Sequence, residues 1–465
     1  MGYVLFCIYI MLILVVIFVE RKRPTEALLW VVIMICLPYV GSLLYLIFGS
    51  TLAIKLTAAF RRKKLNRQAH VLHEIKTLDI DVLSDVDLEV MRFNELYNQS
   101  PLTCLDSACF YIDGRSHYTQ LFEDLNKAQK NIFIEFYTIH HDVIGEALVD
   151  VLVRKCLEGV KVWVMIDFIA NMGTPQKMFK PLMNAGGEVI RVKPYLTHYR
   201  SHRKIVVIDQ QIGYIGGMNI GKQYANMAKV KNPWRDTQIR LTGACVAVLC
   251  RYFLEDWLCS IKDRKWDDAI DYMEHMEVLK HHRSESLCQF IVGGVDNDKE
   301  AVKMCYLSMI RSAKKRIRIQ SPYFIPDSSL LDALKTAAAS FVDIELMIPG
   351  IKASFFLDPV TNYYSGQLLE YGIHVYKYDG YIHAKTMVID DELCCIGSVN
   401  MDMRSLMVDD EICGIFYDNQ LVEDYNCIFD EDIKHCCEYS YDDFIGRSQK
   451  EKFMESIFLP FAPLM

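Results

Sequence analysis

At 465 residues the chain is too long for one ordinary hydrophobic core, and two or three domains are expected. Apolar residues make up 52% and charged residues 24% of it, which excludes an extended disordered chain and points to a folded protein with a membranous part. A net charge of -8 lacks the basic footprint of a general nucleic-acid binder, so no nucleic-acid partner is expected and any phosphate must be met by local charge.

The first element is apolar. Met1 to Val19 carries no charged side chain, Glu20-Arg21-Lys22-Arg23-Pro24 interrupts, and Ala27 to Phe48 is a second run of 22 residues. As one helix that run would reach about 33 Å, enough to cross a hydrocarbon layer roughly 30 Å thick. The first run has neither a basic region before it nor a small-residue cleavage site after it, which argues against a removed signal peptide. Residues 1–50 are therefore expected to form a two-helix transmembrane anchor, with Pro38 tolerated inside the second span. Three basic residues lie between the runs. Six follow the second: Lys55, Arg61, Arg62, Lys63, Lys64 and Arg67. That imbalance predicts a multi-pass cell-membrane protein with its main domain cytoplasmic and the basic stretch against anionic lipid headgroups. Residues 51–105 read as this juxtamembrane segment and a linker. Its acidic part, Asp79 to Asp87, lacks the glycine and terminal glutamate of a calcium loop.

Beyond the linker the chain repeats. His202-Arg203-Lys204-Ile205-Val206-Val207-Ile208-Asp209 matches His383-Ala384-Lys385-Thr386-Met387-Val388-Ile389-Asp390, both H-x-K-x4-D. Downstream, Gly216-Gly217-Met218-Asn219 corresponds to Gly397-Ser398-Val399-Asn400, again 181 residues apart. Upstream, strand-like runs recur at Asn131–Glu135 and Arg316–Gln320, then at Val160–Ile166 and Val342–Ile348. Helical patterns lie at Gly145–Glu158 and Ser329–Ala339. Alternating strands and helices predict α/β layers, in two duplicated lobes over 106–270 and 284–465 that face one another.

The repeated residues suit phosphodiester chemistry. His and Lys two apart on an extended run share a face and meet one ligand. Asp209 and Asp390 lie too far along the strand to orient their own histidines, and are expected to fix a strand end or turn. A histidine that attacks phosphorus needs one tautomer, usually held by a carboxylate. Asp236 and Glu411 are the candidates, each following the histidine of its own half. Lys204 and Lys385 would neutralise the diester, with Asn219, Ser398 and Asn400 as polar donors to its oxygens. No carboxylate cluster of two-metal type is present, and neither metal nor cofactor is expected. His140-His141 and His281-His282 read as non-ligands, because adjacent residues on a strand point to opposite faces. The 16 cysteines form no C-x-x-C and are expected to be reduced.

These residues resemble the HKD signature of the phospholipase D superfamily over about residues 106–465. The resemblance implies α-β-α-β-α lobes sharing one active site, with the first-motif histidine as nucleophile and the second as general acid. Leu37-Pro38-Tyr39-Val40-Gly41, Tyr45-Leu46-Ile47-Phe48-Gly49, Trp234-Arg235-Asp236-Thr237 and Ser321-Pro322-Tyr323-Phe324-Ile325-Pro326-Asp327 are similar to segments of bacterial cardiolipin synthases. Such enzymes combine two phosphatidylglycerols into cardiolipin and glycerol. Another phosphatidyltransferase or a hydrolase of the superfamily is the nearest alternative. A nuclease fits the acidic charge poorly, and a non-catalytic scaffold fits poorly with two intact H-x-K motifs.

Overall fold

The computed structural model describes residues 2–20, 24–66, 85–193, 199–227, 233–261, 286–294 and 300–465. His281-His282, Arg67 and the loop arginines and lysine at 21–23 lie outside these residues.

The first lobe is built on a seven-stranded sheet. Its strands are β2 (Ser107–Tyr111), β3 (Asn131–Phe136), β4 (Lys161–Asp167), β5 (Glu188–Val192), β6 (Ile205–Ile208), β7 (Ile212–Gly216) and β9 (Gln238–Thr242), in the order β2-β9-β7-β6-β3-β4-β5. A short β1 (Thr103–Cys104) precedes them, and β8 (Trp234–Arg235) stands apart from the sheet. The second lobe repeats the plan with β10 (Leu287–Gly293), β11 (Arg316–Gln320), β13 (Asp343–Pro349), β14 (His374–Tyr378), β16 (Thr386–Ile389), β17 (Leu393–Gly397) and β19 (Glu411–Phe416). Their order, β10-β19-β17-β16-β11-β13-β14, matches the first sheet strand for strand, with β1 and β20 (Cys436–Glu438) added at the edges. Two small pairs complete the set: β12 (Phe324–Ile325) with β18 (Met401–Asp402), and β15 (Tyr381–Ile382) with β8.

In each lobe three strands run parallel, β3-β4-β5 and β11-β13-β14, joined through helices. The helices Val143–Leu157 and Ser328–Ala339 begin where the sequence places an aspartate. Asp142 accepts from the amides of Ile144 and Gly145, and Asp327 from that of Leu330, satisfying first-turn donors. The remaining strands are antiparallel, and the motif strands β6 and β16 lie at the junction, each beside the first parallel strand of its lobe. The buried helix Cys245–Ser260 and residues of both sheets, among them Phe133, Val207, Phe290, Val388 and Phe416, form one core. That shared core presses the two lobes together. The helix Asp85–Leu96 and β1 pack on the second lobe, through Val90, Met91, Leu102 and Cys104. All sixteen cysteines are free thiols, nine of them buried.

The amino-terminal segment departs from expectation. Helix α1 (Gly2–Leu14) runs on as a wider turn over Val15–Val19. The second apolar run is not one span. It forms α2 (Pro24–Cys36), breaks at Leu37–Tyr39, and resumes as α3 (Val40–Leu44) with a wide turn over Tyr45–Gly49. Pro38 has no amide hydrogen to continue the helix, and Tyr39 takes a positive φ of 65°. The chain doubles back, so the Trp30 and Tyr45 rings meet at 5.5 Å. Among the described residues no helix is long and apolar enough to cross a membrane. The segment nevertheless leaves many apolar side chains outside the protein's own core, including Phe18, Leu28, Ile35, Tyr39 and Leu43.

Helix α4 (Thr51–Asn66) carries the basic stretch. Arg61, expected among the headgroup contacts, is buried instead. It reaches Asp256 at 2.7 Å and Asp410 at 2.6 Å. Arg203 pairs with the same Asp256 and donates to the Glu411 carbonyl at 3.1 Å. The juxtamembrane helix is thus tied to the strand that carries Glu411. Removing one cation from a buried charge network costs about 3–5 kcal/mol. Arg61→Ala is expected to lower stability by that order, read as an earlier midpoint in denaturation of the detergent-solubilised protein, with Arg61→Lys intermediate. An unchanged midpoint in Arg61→Ala would contradict the tie.

Candidate active site between the lobes

His202 and His383 sit just before β6 and β16, on extended chain rather than at the first strand residue. Each lead-in pairs with the opposite lobe. Ser201 bridges Asp410 in parallel, and the His202 amide donates to the Asp410 carbonyl at 2.8 Å. By the same pattern Ile382 pairs with Arg235, and the His383 amide donates to the Arg235 carbonyl at 2.6 Å. The residue after each acceptor is a carboxylate, so the pairing delivers it to the other lobe's histidine.

The expected pairing within each half is therefore corrected. His202 Nδ1 lies 2.8 Å from Glu411 Oε1, and His383 Nδ1 lies 2.6 Å from Asp236 Oδ2. Both carboxylates are buried. An ionised carboxylate on Nδ1 accepts its hydrogen and leaves the Nε2 lone pair as the reactive position.

The lysines join the two halves electrically. Burial pushes both histidines down, His383 to about 3 and His202 well below its ordinary value, and both lysine charges act on both rings. Lys204 is lowered to about 7 and Lys385 to about 8, chiefly by burial. Each ammonium also donates to the carbonyl of the histidine two residues before it. Burial pushes Glu411 up, against the pull of the Lys204 charge and the Ser398 hydroxyl, which favour its ionised form. Burial also acts upward on Asp236, but the charges of His383 and Lys385 bring it below its ordinary value. Two buried cations beside two neutral imidazoles form a site prepared for an anion.

The remaining motif residues divide. Asp209 accepts from the amides of Gln129, Lys130 and Asn131, and Asp390 from those of Lys314, Lys315 and Arg316. Both have positive φ, 53° and 52°, and both fix the entry of the neighbouring parallel strand, the expected structural role. Asn219 accepts from the Thr138 amide and donates to the Tyr224 hydroxyl, so its polar atoms brace the wall. Asn400 is buried, with Oδ1 unpartnered among the described residues. Ser398 donates to Glu411 Oε2 and accepts from the Ile412 amide at 3.1 Å. It was expected among the donors to a phosphate and instead holds the carboxylate. Its counterpart Gly217 has no room for a side chain: a methyl there would lie 2.1 Å from Asp236 Oδ1. The replacement of Gly by Ser between the copies thus tracks the two differently held carboxylates.

Residues outside the repeat complete the walls. The Tyr137 ring meets His202 edge-on at 4.7 Å, and Trp234, Tyr381 and Tyr224 surround His383 at 5.3, 5.8 and 6.2 Å. Trp234 and Tyr381 are neighbours of motif residues, but nothing in their spacing marks them as site residues. His140 lies 2.7 Å from Gln223 Nε2 and His141 3.2 Å from Glu146. Among the described residues no group of three or more His, Cys, Asp or Glu side chains is placed to hold a metal ion.

Known proteins are similar to this chain over both lobes. The family model described as cardiolipin synthase, PLD-like domain, matches residues 121–230 and 306–433, one segment per lobe, and a phospholipase D-nuclease N-terminal model matches residues 7–50. The chain is 32% identical to the cardiolipin synthase of Listeria monocytogenes serotype 4b (strain CLIP80459), covering 100% of both chains. It is 32% identical to the major cardiolipin synthase ClsA of Bacillus subtilis (strain 168), covering 99% of this chain and 98% of that one. Among solved structures, phosphatidylserine synthase of Haemophilus influenzae shares the fold with a TM-score of 0.60 at 15% identity, over 80% of this chain and 97% of that one. Polyphosphate kinase of Porphyromonas gingivalis does so with a TM-score of 0.52 at 13% identity, over 79% and 52%. With full-length likeness and both lobes matched, the chain belongs to the cardiolipin synthase family of the phospholipase D superfamily.

Proposed function

We propose that this protein is a phosphatidyltransferase that makes cardiolipin and glycerol from two phosphatidylglycerols. The observation that carries the reading is the reciprocal pairing of two histidines with two carboxylates across the lobes, with both lysines acting on both rings. His202 Nε2 attacks phosphorus of the first lipid, forming a P–N bond as the P–O bond to glycerol breaks. His383, whose protonated form the negative charge of the bound diester favours, gives its Nε2 proton to the departing glycerol oxygen. It then takes the proton of the second lipid's glycerol hydroxyl, which attacks phosphorus and breaks the P–N bond. One phosphodiester replaces another, so the exchange needs no nucleotide. Lys204 and Lys385 hold the diester oxygens, with Asn400 as a further donor through its amide.

The acceptor distinguishes a synthase from a hydrolase. Water is present at about 55 M, so the lipid alcohol must win by position, and oriented groups reach effective molarities of about 10⁵ M or more. In phosphatidylglycerol vesicles, glycerol release is expected to match cardiolipin formation with little phosphatidic acid. Dominant phosphatidic acid would make the protein a phospholipase instead.

The apolar amino-terminal segment supports a membrane seat for this reaction. The finer arrangement, with the lobes on the cytoplasmic face, rests on the six-versus-three basic count, of which the fold buries Arg61. A reporter active only outside the cytoplasm should stay silent when fused at Met465. Activity there would reverse the orientation.

A further inference from the structure

Away from the active site, the carboxyl-terminal helices and the loop after β13 enclose a groove of about 740 Å³. Its carboxylates are committed. Asp358 accepts from the amides of Ala353 and Ser354, Asp443 and Glu451 cap their helices through Ser440 and Ser448, and Glu455 pairs with Arg447 at 2.8 Å. Its lysines are not so engaged. Lys352, Lys377 and Lys450 line the groove, and none has a carboxylate within ion-pair distance among the described residues. Lys377 is half-buried, with its ammonium 3.4 Å from the centre of the Tyr439 ring, and burial lowers it to about 8. The charges of Asp443, Glu451 and Glu455 reach it only from beyond ion-pair distance, so an anion seated against the lysines would gain a direct partner.

One rim of the groove is apolar. Phe355 and Phe356 are exposed and rest on Phe458 at 5.4 and 5.2 Å, with exposed Phe453, Ile457 and Phe461 on the same carboxyl-terminal stretch. This stretch runs directly onto the amino-terminal segment: Leu464 packs against the cluster of Val16, Trp30, Met34 and Tyr45. The exposed phenylalanines therefore continue the apolar surface that carries Phe18, Leu28, Ile35 and Leu43.

We propose that this face is a second membrane contact, in which the phenylalanines enter the acyl-chain boundary and the groove holds the phosphodiester headgroup of an anionic phospholipid against Lys352, Lys377 and Lys450. Aromatic side chains beside uncommitted lysines are the composition that seats a surface on an anionic bilayer. The contact rests on the reading of the protein as a membrane enzyme but not on its chemistry, since none of these residues belongs to the histidine site. It would press the lobes onto the bilayer from which the lipids are drawn.

The test uses the full chain in nanodiscs of phosphatidylcholine with one-fifth phosphatidylserine, carrying a benzophenone amino acid in place of Phe355. Phe341 serves as the control position. It is 95% exposed and lies before β13, at the end of that strand opposite the groove. Irradiation should give lipid adducts at position 355 and none at 341. Phosphatidylserine should make up most of the adducts at one-fifth of the bilayer, and each lysine removed should lower the phosphatidylserine-to-phosphatidylcholine ratio of the adducts about fivefold. Lys352→Ala with Lys450→Ala, both at exposed positions, should lower that ratio by the product of the two factors, about 25-fold, while adducts still form. Equal labelling at 355 and 341 would overturn the membrane contact, and adducts at bulk composition in the unsubstituted groove would overturn the headgroup site. Photolabelling does not depend on turnover, so either failure is separable from failure of the synthase reading.

Discussion

His202→Ala is expected to lower cardiolipin formation by on the order of 10⁶-fold, because it removes the atom that bonds to phosphorus rather than a group that adjusts it. His383→Ala should be comparably inactive with phosphatidylglycerol, whose glycerol oxygen is a poor leaving group without a proton. The two losses differ in kind. With a phosphatidyl ester of a nitrophenol, which departs as an anion, His383→Ala should still release nitrophenolate in a single burst and accumulate a phosphohistidine. His202→Ala should give no burst. Acid-quenched protein exposed to labelled lipid should carry the label on His202. Label on His383 with a burst in His202→Ala would exchange the roles, and label on neither would remove the covalent route. The fold makes the comparison fair, since the two lead-ins are held by equivalent amide-to-carbonyl bonds to the opposite lobe.

Glu411→Gln and Asp236→Asn carry the second large effect, roughly 10²–10⁴-fold each in transfer rate, the range found when a carboxylate that fixes a catalytic histidine is made neutral. Which histidine each one serves is decided by coupling. The cross-lobe bonds, His202 with Glu411 and His383 with Asp236, predict that Glu411→Gln adds little to a protein already lacking His202 and that Asp236→Asn adds little to one lacking His383. The nitrophenyl ester sharpens the reading. Asp236→Asn should keep most of its burst, because His383 is not needed for that step, whereas Glu411→Gln should slow the burst. A burst slowed by Asp236→Asn and untouched by Glu411→Gln would restore pairing within each half and contradict the geometry.

The repeat was legible because its constraints are local. H-x-K needs two side chains on one face of an extended run, and strands at matching offsets give two sheets of matching strand order. The structural role of Asp209 and Asp390 was legible for the same reason, since the length of a strand separates each from its histidine. Helix starts at Asp142 and Asp327 could be read because a capping side chain acts within three residues.

Partnerships across the lobes were not legible. Asp236 and Glu411 stand out in the sequence as carboxylates near the motifs, but sequence distance ties each to its own half. Only the docking of the lobes through the core around Cys245–Ser260 brings Ser201 beside Asp410 and Ile382 beside Arg235, which hands each carboxylate to the other histidine. Arg61 shows the same limit, since composition placed it with the surface charges while the fold buries it between Asp256 and Asp410. Ser398 and Gly217 do too: a carboxylate 13 residues along the chain from Ser398 and 19 from Gly217 sets what each can be. In the apolar segment, residue type made the side chains apolar, but Pro38 and the turn at Tyr39 decided its shape. Sequence alone determined which chemical groups this protein brings to a phosphodiester, because residue type and local spacing suffice for that. Tertiary structure decided which group serves which, because hydrogen bonds and ion pairs depend on distances of about 3 Å that only the packed lobes define.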